Sequence, residues 1–146
     1  MSKIDQKGKI QTVLGLIDPK DLGLTMTHEH LLIDFSVMFN PTPDVTTQRM
    51  AHAPVSMENL GWIRQYCYSN LDNLLVLDEE TAIEEAMLYQ RHGGGAIVDA
   101  TTIGIGRDPL ALARISRGAG VHVVMGAGYY VDAAQPNEIN EKNEDD

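Results

Sequence analysis

A parallel α/β fold is predicted by two observations: three short apolar runs of strand type, and two well-punctuated helices alternating with them. The runs are Leu24–Thr27, Ala96–Ala100 and Val121–Ala127. Each is a continuous apolar stretch and not a strict alternation, which suits strands covered on both faces. At 146 residues, with 43% apolar and 22% charged residues, the chain is long enough to bury a core of its own.

Taken in order, Ile10–Leu14 and Leu16–Ile17, separated by Gly15, predict a small hairpin or lid at the base of the sheet. The first long strand then runs into Thr25-Met26-Thr27-His28-Glu29-His30. In an extended strand, side chains at i and i+2 share a face, so His28 and His30 converge while Glu29 points away. Two neutral imidazoles side by side can form half of a zinc-type site. A helix would space the pair badly, because its neighbours lie three or four residues apart. On spacing alone the ordinary reading stays open: one histidine caps a loop and the other packs in a core.

The segment Asp34–Val76 breaks the pattern. It holds Pro41, Pro43 and Pro54 and a cluster of Met57, Trp62, Tyr66 and Tyr68. Helical periodicity runs only from about Ser56 to Ser69, which predicts a long insertion (34–76) carrying one helix. It serves either as a pocket-forming excursion or as a surface elaboration. Asp78–Arg91 reads as a helix, with Thr81 and Glu84 matching a capping box and Ala82, Ile83, Ala86 and Met87 forming an apolar stripe. Gly93-Gly94-Gly95 returns the chain to the second strand. Asp108 and Pro109 then open another helix. Its inner face is Leu112, Ile115, Ser116 and Ala119, and it ends at Gly118 or Gly120.

Several classes are excluded. A net charge of −10 argues against a nucleic-acid surface. Part of that charge is local: Glu138–Asp146 carries five acids and one lysine, so residues 135–146 read as an acidic disordered tail. The single cysteine, Cys67, permits no internal disulfide and fits a reducing compartment; with no base partner evident, it is expected to be buried. No secretory signal or membrane-spanning stretch is visible, and the expected location is cytoplasmic.

The strand-end histidines then acquire company. Gly8–Gly15 with Leu24–His30, Gly93–Thr102 with Gly104–Asp108, and Gly120–Val124 with Gly126–Asp132 together resemble the N-terminal part of the phosphotriesterase-related family. That family lies in the amidohydrolase superfamily of metal-dependent hydrolases. The resemblance spans Gly8 to about Ala134. It implies a (β/α)8 TIM barrel with a binuclear centre at the carboxyl ends of its strands, holding two divalent ions, zinc foremost. Within it His28 and His30 are implied as two ligands of the more buried ion. The other ligands come from later strands in relatives: a bridging Glu or carboxylated Lys, two further histidines, and a proton-handling Asp. Implied substrates are small molecules, namely organophosphate triesters, lactones or N-acyl amino acids such as N-acetyltaurine, with amide or ester hydrolysis favoured here.

Other residues carry smaller expectations. Tyr129 follows the third strand, where relatives place an aromatic pocket wall; substrate contact and plain packing both stay open for it. Tyr130 is expected to turn away. Asp99 could face the barrel mouth, although a structural hydrogen-bonding role is favoured. Arg107 and Asp108 shape a loop and cap the helix. His122 lies at the N-terminal half of its strand, the stability face of such a barrel, and His92 meets a helix C-terminus. His52 reads as solvated.

A full barrel needs eight strands and roughly 250 residues; this chain offers about three parallel strands with two to three helices. The expected organisation is an incomplete barrel over 1–134 followed by the tail at 135–146, in a truncated form inactive by itself. The alternative is a non-enzymatic interaction fragment that docks its open sheet edge on another chain.

Overall fold

Aspartate carboxylates start three of the four α-helices in the computed structural model, which describes residues 6–141. Asp44 accepts from the Thr46 N–H at 2.9 Å ahead of α1 (Val45–Ala51). The second helix, α2 (Leu60–Gln65), follows Asn59 without a side-chain cap. Ahead of α3 (Glu79–Arg91), Asp78 accepts from Thr81 N–H at 2.6 Å. The expected Thr81/Glu84 capping box is therefore corrected. Asp78 is the last residue with extended backbone and its carboxylate reaches the first turn, which leaves Thr81 inside the helix. The fourth helix, α4 (Pro109–Ala119), begins as expected, with the Asp108 carboxylate taking the N–H groups of Leu110 and Ala111, both at 2.9 Å. It ends on Gly120, whose φ of +69° is a left-handed cap that a side chain would strain.

The described chain forms two compact units. The first comprises residues 6–32, Asp78–Thr101 and Asp108–Ala127. In it β1 (Ile10–Thr12) pairs antiparallel with β2 (Gly15–Ile17). Gly15 pairs with Thr12 and so belongs to β2; the expected break at Gly15 moves to Val13-Leu14. There the Thr12 hydroxyl closes the turn, accepting from Leu14 N–H and donating to the Gly15 carbonyl. The main sheet of this unit is three-stranded and parallel: β3 (Leu24–Glu29) lies beside β6 (Gly94–Asp99), and β6 beside β7 (His122–Met125). Two further short strands, β4 (Ile33–Asp34) and β5 (Leu75–Val76), belong to the second unit.

The parallel α/β class expected from the apolar runs is what forms, and among the described residues the sheet does not close. The second strand starts earlier than its apolar run. Gly94 pairs with Leu24, and a Cβ there would run into the Tyr89 ring. That ring crosses the strand ends so that its hydroxyl lies 2.9 Å from the Leu24 carbonyl and 3.2 Å from the Ala96 carbonyl, its one proton shared between them.

One apolar core holds this unit. Ile97 and Val123 from the sheet meet Ala82 and Ala86 of α3 and Ala111, Leu112, Ile115 and Ala119 of α4. The helical stripe read from the sequence is the buried one: Leu112, Ile115, Ser116 and Ala119 all face inward. Burying one such aliphatic side chain contributes about 1.5–3 kcal/mol. Arg114 of α4 also makes a two-pronged ion pair with Glu79 of α3, at 2.8 and 2.7 Å. His122 opens β7, and His92 caps α3 with Nδ1 2.8 Å from the Leu88 carbonyl.

The second unit comprises Ile33–Leu77, Thr102–Arg107 and residues 128–141. Here β4 and β5 pair antiparallel, and much of the remainder is α1, α2 and single-turn 3-10 helices. The sequence predicts one helix over Ser56–Ser69; the structure has α2 followed by a 3-10 turn at Cys67–Ser69, and adds α1. Val45, Thr46 and Thr47 are weak helix formers, and the Asp44 cap offsets that weakness locally. Cys67 is exposed, contrary to expectation, because its turn buries Ser69 instead. His52 is exposed as expected and lies against the Phe39 ring.

Asn70, fully buried, holds this unit at one point. Its amide donates to the Met50 and Ala53 carbonyls at 2.7 and 2.8 Å and its oxygen accepts from Asn73 N–H. Asn137–Glu141 form a short 3-10 helix, and residues 142–146 of the expected acidic tail lie outside the described residues. No described helix is long and apolar enough to cross a membrane.

Candidate metal centre

The carboxyl end of β3 is built by side chains that bind backbone. Pairing of β3 with β6 is regular at Met26↔Ile97, then slips so that Glu29 faces Asp99. The slip places one extra β3 residue at the histidines, a bulge of the kind that re-aims side chains near sites. Beyond it the two strand ends are laced together. Ala100 N–H donates to the Glu29 carbonyl at 2.7 Å. The Asp99 carboxylate, 0% exposed, accepts from Leu31 N–H at 2.8 Å and Thr101 N–H at 3.0 Å. With each oxygen engaged by an amide, Asp99 has the structural role favoured for it.

His28 and His30 stand together on this end. Their ring centroids are 5.3 Å apart, with the planes at 75°. His28 is exposed and His30 half-buried. Glu29 is turned to local use, its carboxylate accepting from the His30 backbone N–H at 3.0 Å. The His30 ring is held from behind: Nδ1 lies 2.9 Å from the Thr101 hydroxyl, which donates onward to the Leu32 carbonyl at 3.1 Å.

Two adjacent imidazoles suit one borderline-soft cation such as zinc. They do not complete a catalytic site, which takes three protein ligands and an open position. Among the described residues no group of three or more His, Cys, Asp or Glu side chains could hold an ion. The donor set therefore fits part of a centre.

Of the other residues singled out by sequence, Tyr129 and Tyr130 are both exposed, at 45% and 58%. Tyr130 lies against Phe35, whose ring also meets Tyr68. Asp108 is the helix cap, and Arg107 donates its N–H to the Thr102 carbonyl. Thr101 was not among the candidates. Its signal was position alone: it follows Asp99 at the end of the strand beside the histidines, a neighbour relation no local pattern encodes.

A parallel α/β sheet with paired imidazoles at its carboxyl edge defines the class: an α/β protein with a histidine pair at a strand end. The chain belongs to the phosphotriesterase family, whose profile matches residues 8–144 and which comprises metal-dependent hydrolases. The match runs past the Ala134 limit given by the motif blocks, into the acidic tail. Among curated relatives, N-acetyltaurine hydrolase of Homo sapiens is 46% identical over 132 residues, covering 90% of this chain and 38% of the relative. The Salmo salar protein of the same name is 51% identical over 128 residues, 86% of this chain and 36% of the relative. The chain thus spans under two-fifths of the length of these relatives. In structure it is similar to a resiniferatoxin-binding protein from Rhodobacter sphaeroides, with a TM-score of 0.89 and 43% identity over 92% of this chain and 38% of that one. A lactonase from Listeria monocytogenes gives a TM-score of 0.58 at 26% identity, covering 91% of this chain and 33% of that one.

Proposed function

We propose that the chain supplies two ligands, His28 and His30, to the metal centre of a hydrolase that cleaves amide or ester bonds of small acylated substrates. N-acetyltaurine is the substrate to try first, because relatives bearing that activity in their name are 46–51% identical over the matched span. The observation that carries the reading is the imidazole pair, 5.3 Å apart at a strand end. A bound divalent ion, zinc foremost, would polarise the scissile carbonyl and lower the pKa of a water. His28 and His30 would hold that ion, and the Asp99 carboxylate would keep the two strand ends in register beneath them. Tyr129 is proposed as a substrate contact. Further donors have to join the pair before turnover, so the 146-residue chain by itself is expected to take up zinc and to hydrolyse nothing.

The test is a zinc titration of this chain beside His28→Ala and His30→Ala, followed by an N-acetyltaurine assay. Each substitution is expected to weaken zinc binding at least about tenfold. Zinc uptake indifferent to both substitutions would sink the ligand assignment. N-acetyltaurine turnover by this chain alone would overturn the need for further donors, and turnover surviving loss of both histidines would sink their role as ligands.

A further inference from the structure

We infer that Thr101 is a positioning residue for His30, holding its ring in the Nδ1–H tautomer so that the bare lone pair sits on Nε2. The inference rests on the direction of two hydrogen bonds. A hydroxyl has one proton to give. The Leu32 carbonyl 3.1 Å from Thr101 Oγ1 can only accept, so the proton goes there. Toward His30, at 2.9 Å, the hydroxyl is left as an acceptor, and Nδ1 has to bring the hydrogen. In the neutral ring the other nitrogen is then unprotonated.

The relay is well placed to be rigid. Thr101 is 1% exposed, its N–H is held by Asp99, and the same carboxylate takes the N–H of Leu31, next to His30. The hydroxyl and the imidazole are thus referred to one buried anchor. That His30 is a metal ligand comes from the function proposed above; the tautomer does not depend on it. Where it is a ligand, metal binding uses a lone pair already turned to one nitrogen, with no proton to move within the ring.

The experiment is long-range 1H–15N correlation NMR of the metal-free chain, at a pH where imidazole is neutral. The variants are Thr101→Val, which keeps the shape and removes the hydroxyl, and Thr101→Ser, which keeps the hydroxyl. Expected is an Nδ1–H pattern for His30 in the wild type and in Thr101→Ser, moving toward Nε2–H in Thr101→Val. Zinc affinity is expected to fall about 10- to 100-fold in Thr101→Val and to return with Thr101→Ser. An Nε2–H pattern in the wild type overturns the inference, as does a ring spectrum unchanged by Thr101→Val. Should Thr101→Val not fold, the wild-type spectrum decides alone. Failure of the wild type to bind zinc, with the Nδ1–H pattern present, overturns the metal reading and supports the tautomer assignment.

Discussion

The two units of this chain are held together by different means. In the sheet unit, Ile97, Val123, Leu112 and Ile115 close one apolar core between a parallel sheet and two helices. The second unit has two-residue strands and short turns, and among its buried groups Asn70 spends its side chain on backbone carbonyls. Apolar burial is non-directional and tolerates small shifts. A buried amide works only while its partners stay in place, and a lost partner leaves a desolvated polar group. The first unit buries one continuous apolar cluster; the second buries fewer apolar side chains, Ile63, Leu74 and Ile105 among them, and adds the directed bonds of Asn70.

The largest expected effect strikes the first. Ile115 is fully buried, so Ile115→Ala should lower stability by about 2–5 kcal/mol through lost transfer energy and a residual cavity. The urea midpoint measures it, and a loss below about 1 kcal/mol would mean that the core does not carry this unit. Next in size, Asn70→Ala should cost about 1–3 kcal/mol by orphaning the Met50 and Ala53 carbonyls. Hydrogen exchange should rise across 33–77 while the β6 and β7 amides keep their protection. Equal loss of protection in both units would erase the contrast drawn between them.

The smallest effect belongs to the exposed ion pair joining α3 and α4. The hydrogen bond from Arg114 holds the Glu79 carboxyl below its ordinary value. As pH falls the unfolded chain therefore takes up this proton first. The pair's contribution is complete above the ordinary carboxylate range, near pH 4, and is lost as pH drops through the lower folded value. Urea midpoints followed into acid should fall less for Glu79→Gln than for the wild type in that window. Parallel curves would leave the pair without a measurable role, as many surface pairs are.

The same contrast explains what was legible in the sequence. The sheet unit could be read because its strands are continuous apolar runs and its helices carry their own punctuation, Asp108-Pro109 at one end and Gly120 at the other. Burial and capping there are local or periodic properties. The second unit was poorly read because Asn70 binds residues 20 and 17 positions away, and α1 starts in β-branched residues that a single aspartate rescues. At the strand end, the His28/His30 spacing announces a pair. What the pair leans on, Thr101 and the Asp99 bridge, belongs to another strand and shows no spacing signal.

Thr101 lies 71 residues beyond the ring it touches, and this distance has a kinetic consequence. Loop closure over such a span precedes any reward from the contacts it allows. Hairpin turns and helices can form within their own segments, but the His30 imidazole acquires its support only when β3 has found β6. Early in folding the two histidines are ordinary mobile side chains. The geometry of the histidine pair is thus a late product of folding, set only once the two strands have paired.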